Sequence, residues 1–150
     1  FGRVSGDWRG NLKFVHSDAV KWLKAQQKPF DVLLEDLSIG RDGDVFKPAV
    51  SIDVLPYLVH SKLKQSGIAI FNLLPSDDRT WIKMIQAVSK PFTSGLIITF
   101  ESFYNKVLIL SVKPLTSTPK ISRFLRKLLS GIQSSMFCDI QVRTLRITKS

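Results

Sequence analysis

At 150 residues the chain is long enough to bury a core and short enough to form one domain. Its single cysteine, Cys138, excludes an internal disulfide framework and any multi-cysteine metal cluster. The net charge of +10 is lopsided: from Lys113 onward eight basic residues face one acid, Asp139, so the basic character lies in the tail and bears on partners and not on fold.

No apolar run approaches the ~18 to 20 residues of a membrane span, and the N-terminus lacks a signal-peptide layout. A soluble, cytoplasmic protein with no membrane partner is the expectation.

Phe1 to Asn11 is Gly-rich and polar. Leu12–His16 alternates and is rich in β-formers, which predicts a short strand. Ser17 and Asp18 can cap a short helix through Ala19, Val20, Trp22, Leu23 and Ala25, which Pro29 stops. Phe30–Ser38 (FDVLLEDLS) is a near-continuous apolar run closed by acids, the pattern of a strand buried on both faces of a parallel sheet.

Ser38 to Ser51 has few periodic apolar positions and reads as one long loop, with Gly40-Arg41-Asp42-Gly43 a turn. Asp53 can cap a helix with Pro56 in its first turn, a stripe of Leu55, Leu58, Val59 and Leu63, and a stop at Gly67. Ile68–Leu74 is a second buried strand, ended by Pro75. Asp77 or Asp78 can cap a helix whose inward face is Trp81, Ile82, Ile85 and Val88.

Gly95–Phe100 and Lys106–Val112 are two further strands. Their five-residue link, Glu101–Asn105, allows only an antiparallel pair. Thr118-Pro119 then opens an amphipathic helix through Ile121, Phe124, Leu125, Leu128, Leu129 and Ile132. Ile140, Val142, Leu145 and Ile147 suit a final strand. This order predicts an α/β fold: a mostly parallel sheet with one antiparallel strand near the C-terminus.

In an open α/β sheet the carboxyl ends of the parallel strands share one crevice, where ligands bind. Asp18, Asp36, Asn72 and the Ser38–Ser51 loop all follow such strands. A nucleoside-type ligand there would meet Asp18 as an acceptor and Asp36 at its reactive end. The alternative is that Asp18 only caps its helix and Asp36 is a solvated turn residue. His16 and His60 lie far apart with no cysteine nearby, which argues against a metal. Lys120, Arg123, Arg126 and Lys127 read as a solvated helix face. A nucleic-acid partner is not expected, because the tail lacks interleaved aromatics.

Taken in order, LKFVHSDAVKW (Leu12–Trp22), FDVLLEDLS (Phe30–Ser38), LKQSGIAIFN (Leu63–Asn72) and NKVLIL (Asn105–Leu110) resemble the second half of a class I S-adenosylmethionine-dependent methyltransferase, in its spermidine synthase-like branch. The resemblance covers roughly residues 8 to 112. It implies a Rossmann-like sheet ordered three-two-one-four-five-seven-six, of which residues 1–150 supply the carboxyl-terminal part of the domain, without the first βαβ part.

It also implies S-adenosylmethionine, or its decarboxylated form, as cofactor. Asp18 and Ala19 would lie at the adenine, and Asp36 at the reacting end as both cofactor-binding and catalytic residue. The implied activity is a transferase that works with the upstream half present, on a protein or small-amine acceptor; a homodimer is one arrangement open to it. Where aminopropyltransferases carry a second acid, this chain has Ile39. A polyamine needs carboxylates for binding and proton removal, so the resemblance favours methyl over aminopropyl transfer. The family's Gly-rich turn and ribose-binding acid have no counterpart here. The rival from another class is a non-catalytic assembly or binding module.

Overall fold

The computed structural model describes residues 13–115, 117–132, 134 and 138–147. Leu12, and with it the start of the first expected strand, lies outside the described residues. Lys13–His16 form no strand. The first element is helix α1, Ala19–Ala25, which Asp18 caps by accepting the Lys21 amide at 2.8 Å. Strand β1, Phe30–Glu35, follows and ends at Glu35 instead of Ser38.

The expected long loop is instead a hairpin and a helix. β2 (Ile39–Arg41) pairs antiparallel with β3 (Asp44–Phe46), leaving Asp42-Gly43 as a two-residue turn. Both turn residues have positive φ, +53° and +83°, as a type I′ hairpin turn requires; Asp-Gly is a favoured pair for it. Helix α2 (Ala49–Asp53) runs into α3 (Leu55–Lys62) across Val54. Asp53 therefore ends α2 and does not cap α3.

β4 spans Leu63–Leu73, starting five residues earlier than Ile68. Gly67 does not stop a helix. It sits in β4 where the register against β1 shifts, and a Cβ there would stand 2.9 Å from the Phe30 carbonyl oxygen. Helix α4 (Trp81–Ser89) is capped by Thr80, not by Asp77 or Asp78. Its buried apolar residues are Met84 and Val88, while Ile82 is exposed.

β5 (Ser94–Phe100) and β6 (Phe103–Ser111) form the expected antiparallel pair, joined by only Glu101-Ser102. Helix α5 spans Thr118–Gly131, and β7, Gln141–Leu145, closes the order.

The described residues form a five-stranded sheet ordered β1-β4-β6-β5-β7 and the separate β2-β3 pair. The fold is α/β, but the sheet is not mostly parallel. Only β1 and β4 pair parallel; β4-β6, β6-β5 and β5-β7 are antiparallel. The physical reason is placement. β6 returns between β4 and β5, so a single reversed strand makes two antiparallel ladders, and β7 adds a third.

Strand alternation sorts the two faces. Ala69, Phe71 and Leu73 of β4 and Leu108 and Leu110 of β6 join Leu23, Ile52, Val59, Met84 and Val88 from α1–α4 in one buried core. The opposite face carries Ile68, Ile70, Val107 and Ile109, with α5 near Ile68, Leu96 and Ile109. β1 departs from the doubly buried expectation: Val32 and Leu34 are exposed, because they point to that second face. Lys13–His16 do not pair with β1.

Candidate functional site at the end of the parallel pair

Glu35 of β1 lies opposite Phe71 of β4, so Asp36, just past the end of β1, lies beside Asn72 near the end of β4. Asn72 Nδ2 donates to Asp36 Oδ1 at 2.8 Å. Asn105 Nδ2, from the start of the reversed β6, donates to Asn72 Oδ1 at 2.8 Å. Three neighbouring strands thus contribute one side chain each to a relay aimed at a single exposed carboxylate. The relay fixes the rotamer of Asp36 while leaving it open to solvent, so it can still meet a cationic or hydrogen-bonding ligand. Asn105 is more than the turn residue that its sequence position implies.

Beside this relay is a pocket of about 160 Å³, lined by Ala19, Trp22, Leu34, Glu35, Asp36 and Leu37 among others. Ala19 and Asp36, distant in sequence, therefore meet at one cavity. Asp18 is not among its lining residues; its Oδ1 accepts the Lys21 amide as the cap of α1. Pockets that enclose a drug-sized ligand run to roughly 300–1,000 Å³. This one has the size to take one ring system, not a whole nucleoside with its donor group.

The best-organised polar cluster went unforeseen. Glu35, one residue before Asp36, turns to the helix-covered face and is buried. Its Oε1 accepts from Ser51 Oγ at 2.8 Å and from the Leu37 amide at 2.9 Å, and its Oε2 lies 2.7 Å from Lys47 Nζ. The same ammonium donates to the Leu37 carbonyl at 2.9 Å, and the Lys47 amide donates to the Pro75 carbonyl at 2.9 Å. Lys47 therefore binds the exit of the hairpin to the end of β1 through its side chain and to the turn after β4 through its backbone amide. The period of two through Leu33 and Glu35 was the available signal, since it aims Glu35 at the core.

Two exposed contacts extend this frame. Arg41 pairs with Asp77 and stacks on Phe46, 5.0 Å from the ring centre. Arg79 grips both Asp53 oxygens, at 2.6 and 2.8 Å, and this bond raises its pKa above the usual arginine value. A hydrogen bond from Ser76 holds the Asp78 carboxyl below the usual aspartate range, with Arg79 adding to the effect.

Among the described residues no group of three His, Cys, Asp or Glu is arranged to hold a metal ion. His60 packs edge-on against Phe92, their ring centres 5.4 Å apart, and Cys138 is exposed. No family model matches the chain, no curated protein is significantly similar to it, and no solved structure matches it.

Proposed function

We propose that the chain is the carboxyl-terminal part of a Rossmann-like transferase domain, similar to S-adenosylmethionine-dependent methyltransferases of the spermidine synthase-like branch, with its adenosyl donor at the ends of β1 and β4. The observation that carries this reading is the sheet order. β1-β4-β6-β5, with β1 and β4 parallel and β6 reversed, has the sequence of places four-five-seven-six that the resemblance implies.

The residues fit a donor in part. Ala19 lines a pocket of ring size, and Asp36, held by Asn72, offers a negative charge to a cationic centre. When bound, the donor supplies an activated methyl group that leaves with its bonding electron pair kept by sulfur. The chain's own task is alignment, which alone lowers a transfer barrier substantially. Asp36 would orient the reacting end, and the β2-β3 hairpin would border the acceptor. Aminopropyl transfer fits less well, because Ile39 in β2 provides no second carboxylate. A cytoplasmic location belongs to the same reading.

A second reading, a binding module without catalysis, draws on the small pocket and the exposed face of β1. Titrating S-adenosylmethionine while following amide resonances distinguishes the two. Weak, millimolar-range perturbation at Ala19, Leu37 and Asn72, abolished by Asp36→Ala, is expected for the transferase. No perturbation at any concentration leaves the binding module. Micromolar affinity would contradict a donor site missing its Gly-rich turn.

A further inference from the structure

We propose that α5 seats the protein on an anionic lipid surface. From Thr118 to Gly131 the helix carries Lys120, Arg123, Arg126 and Lys127 and no acid. Its apolar residues form one band about 140° wide, graded in exposure from Leu129 to Phe124. Ile121, Leu125 and Leu129 are half-buried, and Ile121 and Leu125, joined by Phe124, line an apolar groove of about 550 Å³ over Ile68, Leu96 and Ile109. Phe124, Leu128 and Ile132, four residues apart, remain 63%, 50% and 68% exposed. A helix that only covered the sheet would not place a phenylalanine and two aliphatics in water along one line.

The cations complete the pattern. At 100° per residue Lys127 and Lys120 fall directly beside Phe124, and Arg123 falls next to them. All three are exposed. The Arg126 guanidinium donates to the Ile140 carbonyl at 2.6 Å and ties the other flank of the helix to the approach to β7. An apolar strip bordered by Lys and Arg is the layout of helices that lie in the headgroup plane, apolar side down.

A flat surface fits better than an enveloping groove, because the half-buried edge of the band and Arg126 keep one side of α5 against the domain. Nucleic acid would use the cations but leave Leu128 and Ile132 unemployed. Spanning is a separate matter: among the described residues no helix is long and apolar enough to cross a membrane. The expectation of no membrane partner rests on the absence of a span, whereas a surface helix obeys different requirements and the proposal departs from that expectation. The proposal is independent of the transferase reading.

Flotation with lipid vesicles tests it. The protein should float with mixed phosphatidylcholine–phosphatidylserine vesicles, not with phosphatidylcholine alone, and raised salt should release it. Phe124→Ser/Leu128→Ser should weaken binding at least tenfold, and Lys120→Ser/Arg123→Ser by on the order of tenfold. All four positions are exposed, so the fold should survive, and the vesicle-composition and salt arms need no variant. Equal flotation with both vesicle types, or none, overturns the proposal. Binding unchanged by the apolar substitutions overturns it in favour of a polyanion such as RNA. A dimer dissolved by those substitutions, without vesicle binding, overturns it in favour of a second copy.

Discussion

The Lys47 ammonium lies 2.7 Å from Oε2 of Glu35, and the two side chains are 0% and 5% exposed. A buried pair of this kind is expensive to break from one side, because the remaining charge stays out of water without a partner. Lys47→Met should therefore cost about 3–5 kcal/mol of folding stability. Adding Glu35→Gln should recover part of the loss, since the amide oxygen still accepts from Ser51 and Leu37. Urea unfolding of the single and double variants measures both effects. A loss below about 1 kcal/mol for Lys47→Met would mean that the pair behaves as a solvated one.

The hairpin that this pair anchors is a two-stranded element, and isolated two-stranded hairpins are marginal in water. Its turn needs positive φ at Gly43, +83°, which costs an alanine roughly 1–2 kcal/mol. Gly43→Ala should open the hairpin locally without unfolding the domain. Amide exchange at Ile39–Arg41 should then accelerate roughly tenfold while Phe71 and Leu108 keep their protection. Unchanged exchange at Ile39–Arg41 would show that the turn does not limit opening.

The same region shows what the sequence made legible. Helices were readable where a stripe and a stop coincide: Pro29 after α1, and Thr118-Pro119 opening α5 at its observed start. The β5-β6 pair was readable because so short a link permits nothing else. The β2-β3 hairpin was hidden because its strands are three residues each, too short to show a period, although Asp42-Gly43 carried the turn signal.

The depth of β1 was misread for a different reason. FDVLLE is apolar enough for burial on both faces, but what covers each face is a property of topology. Of the candidate site, Asp36 and Asn72 follow from their places at strand ends. Asn105 depends on β6 running backwards beside β4, which no local pattern encodes.

Gly67 reports on how closely β1 and β4 approach. An added Cβ would stand 2.9 Å from the Phe30 carbonyl oxygen and 3.0 Å from that of Lys64, and neither backbone atom can swing aside as a side-chain tip could. Gly67→Ala should destabilise by about 1–3 kcal/mol through strain at the start of the parallel pair. Thermal unfolding checks the size, and amide shifts centred on Phe30 and Asp31 check the cause.

Asp78 supplies a pH-dependent test. Ser76 Oγ donates to its Oδ1 at 2.7 Å, and this bond, with smaller contributions from the backbone amide of Asp78 and from Arg79, holds the carboxyl below the usual range. A depressed acid stabilises the fold at pH values above its unfolded pKa. That contribution disappears as pH falls through the lower, folded value. Ser76→Ala should move the Asp78 midpoint up towards the ordinary aspartate range in a carboxyl-carbon NMR titration. An unmoved midpoint would remove Ser76 as the main cause.

The last prediction concerns the outer side of β1. On one side β1 hydrogen-bonds β4, and among the described residues no strand pairs with the other side. Val32 and Leu34 are exposed on the adjoining face, so an unpaired backbone and an apolar surface occur together. Such edges recruit further strands. In the transferase reading this is where the strand numbered one in the implied order would lie. The protein should therefore associate with itself as its concentration rises, and Val32→Lys/Leu34→Lys should suppress the association. Both side chains are exposed, so each substitution should change folding stability by no more than about 0.5 kcal/mol. Sedimentation velocity separates the outcomes. Association that persists in the double variant but yields to Phe124→Ser/Leu128→Ser would move the interface to α5. A wild-type protein that stays monomeric at high concentration would show that the edge of β1 is harmless as it stands.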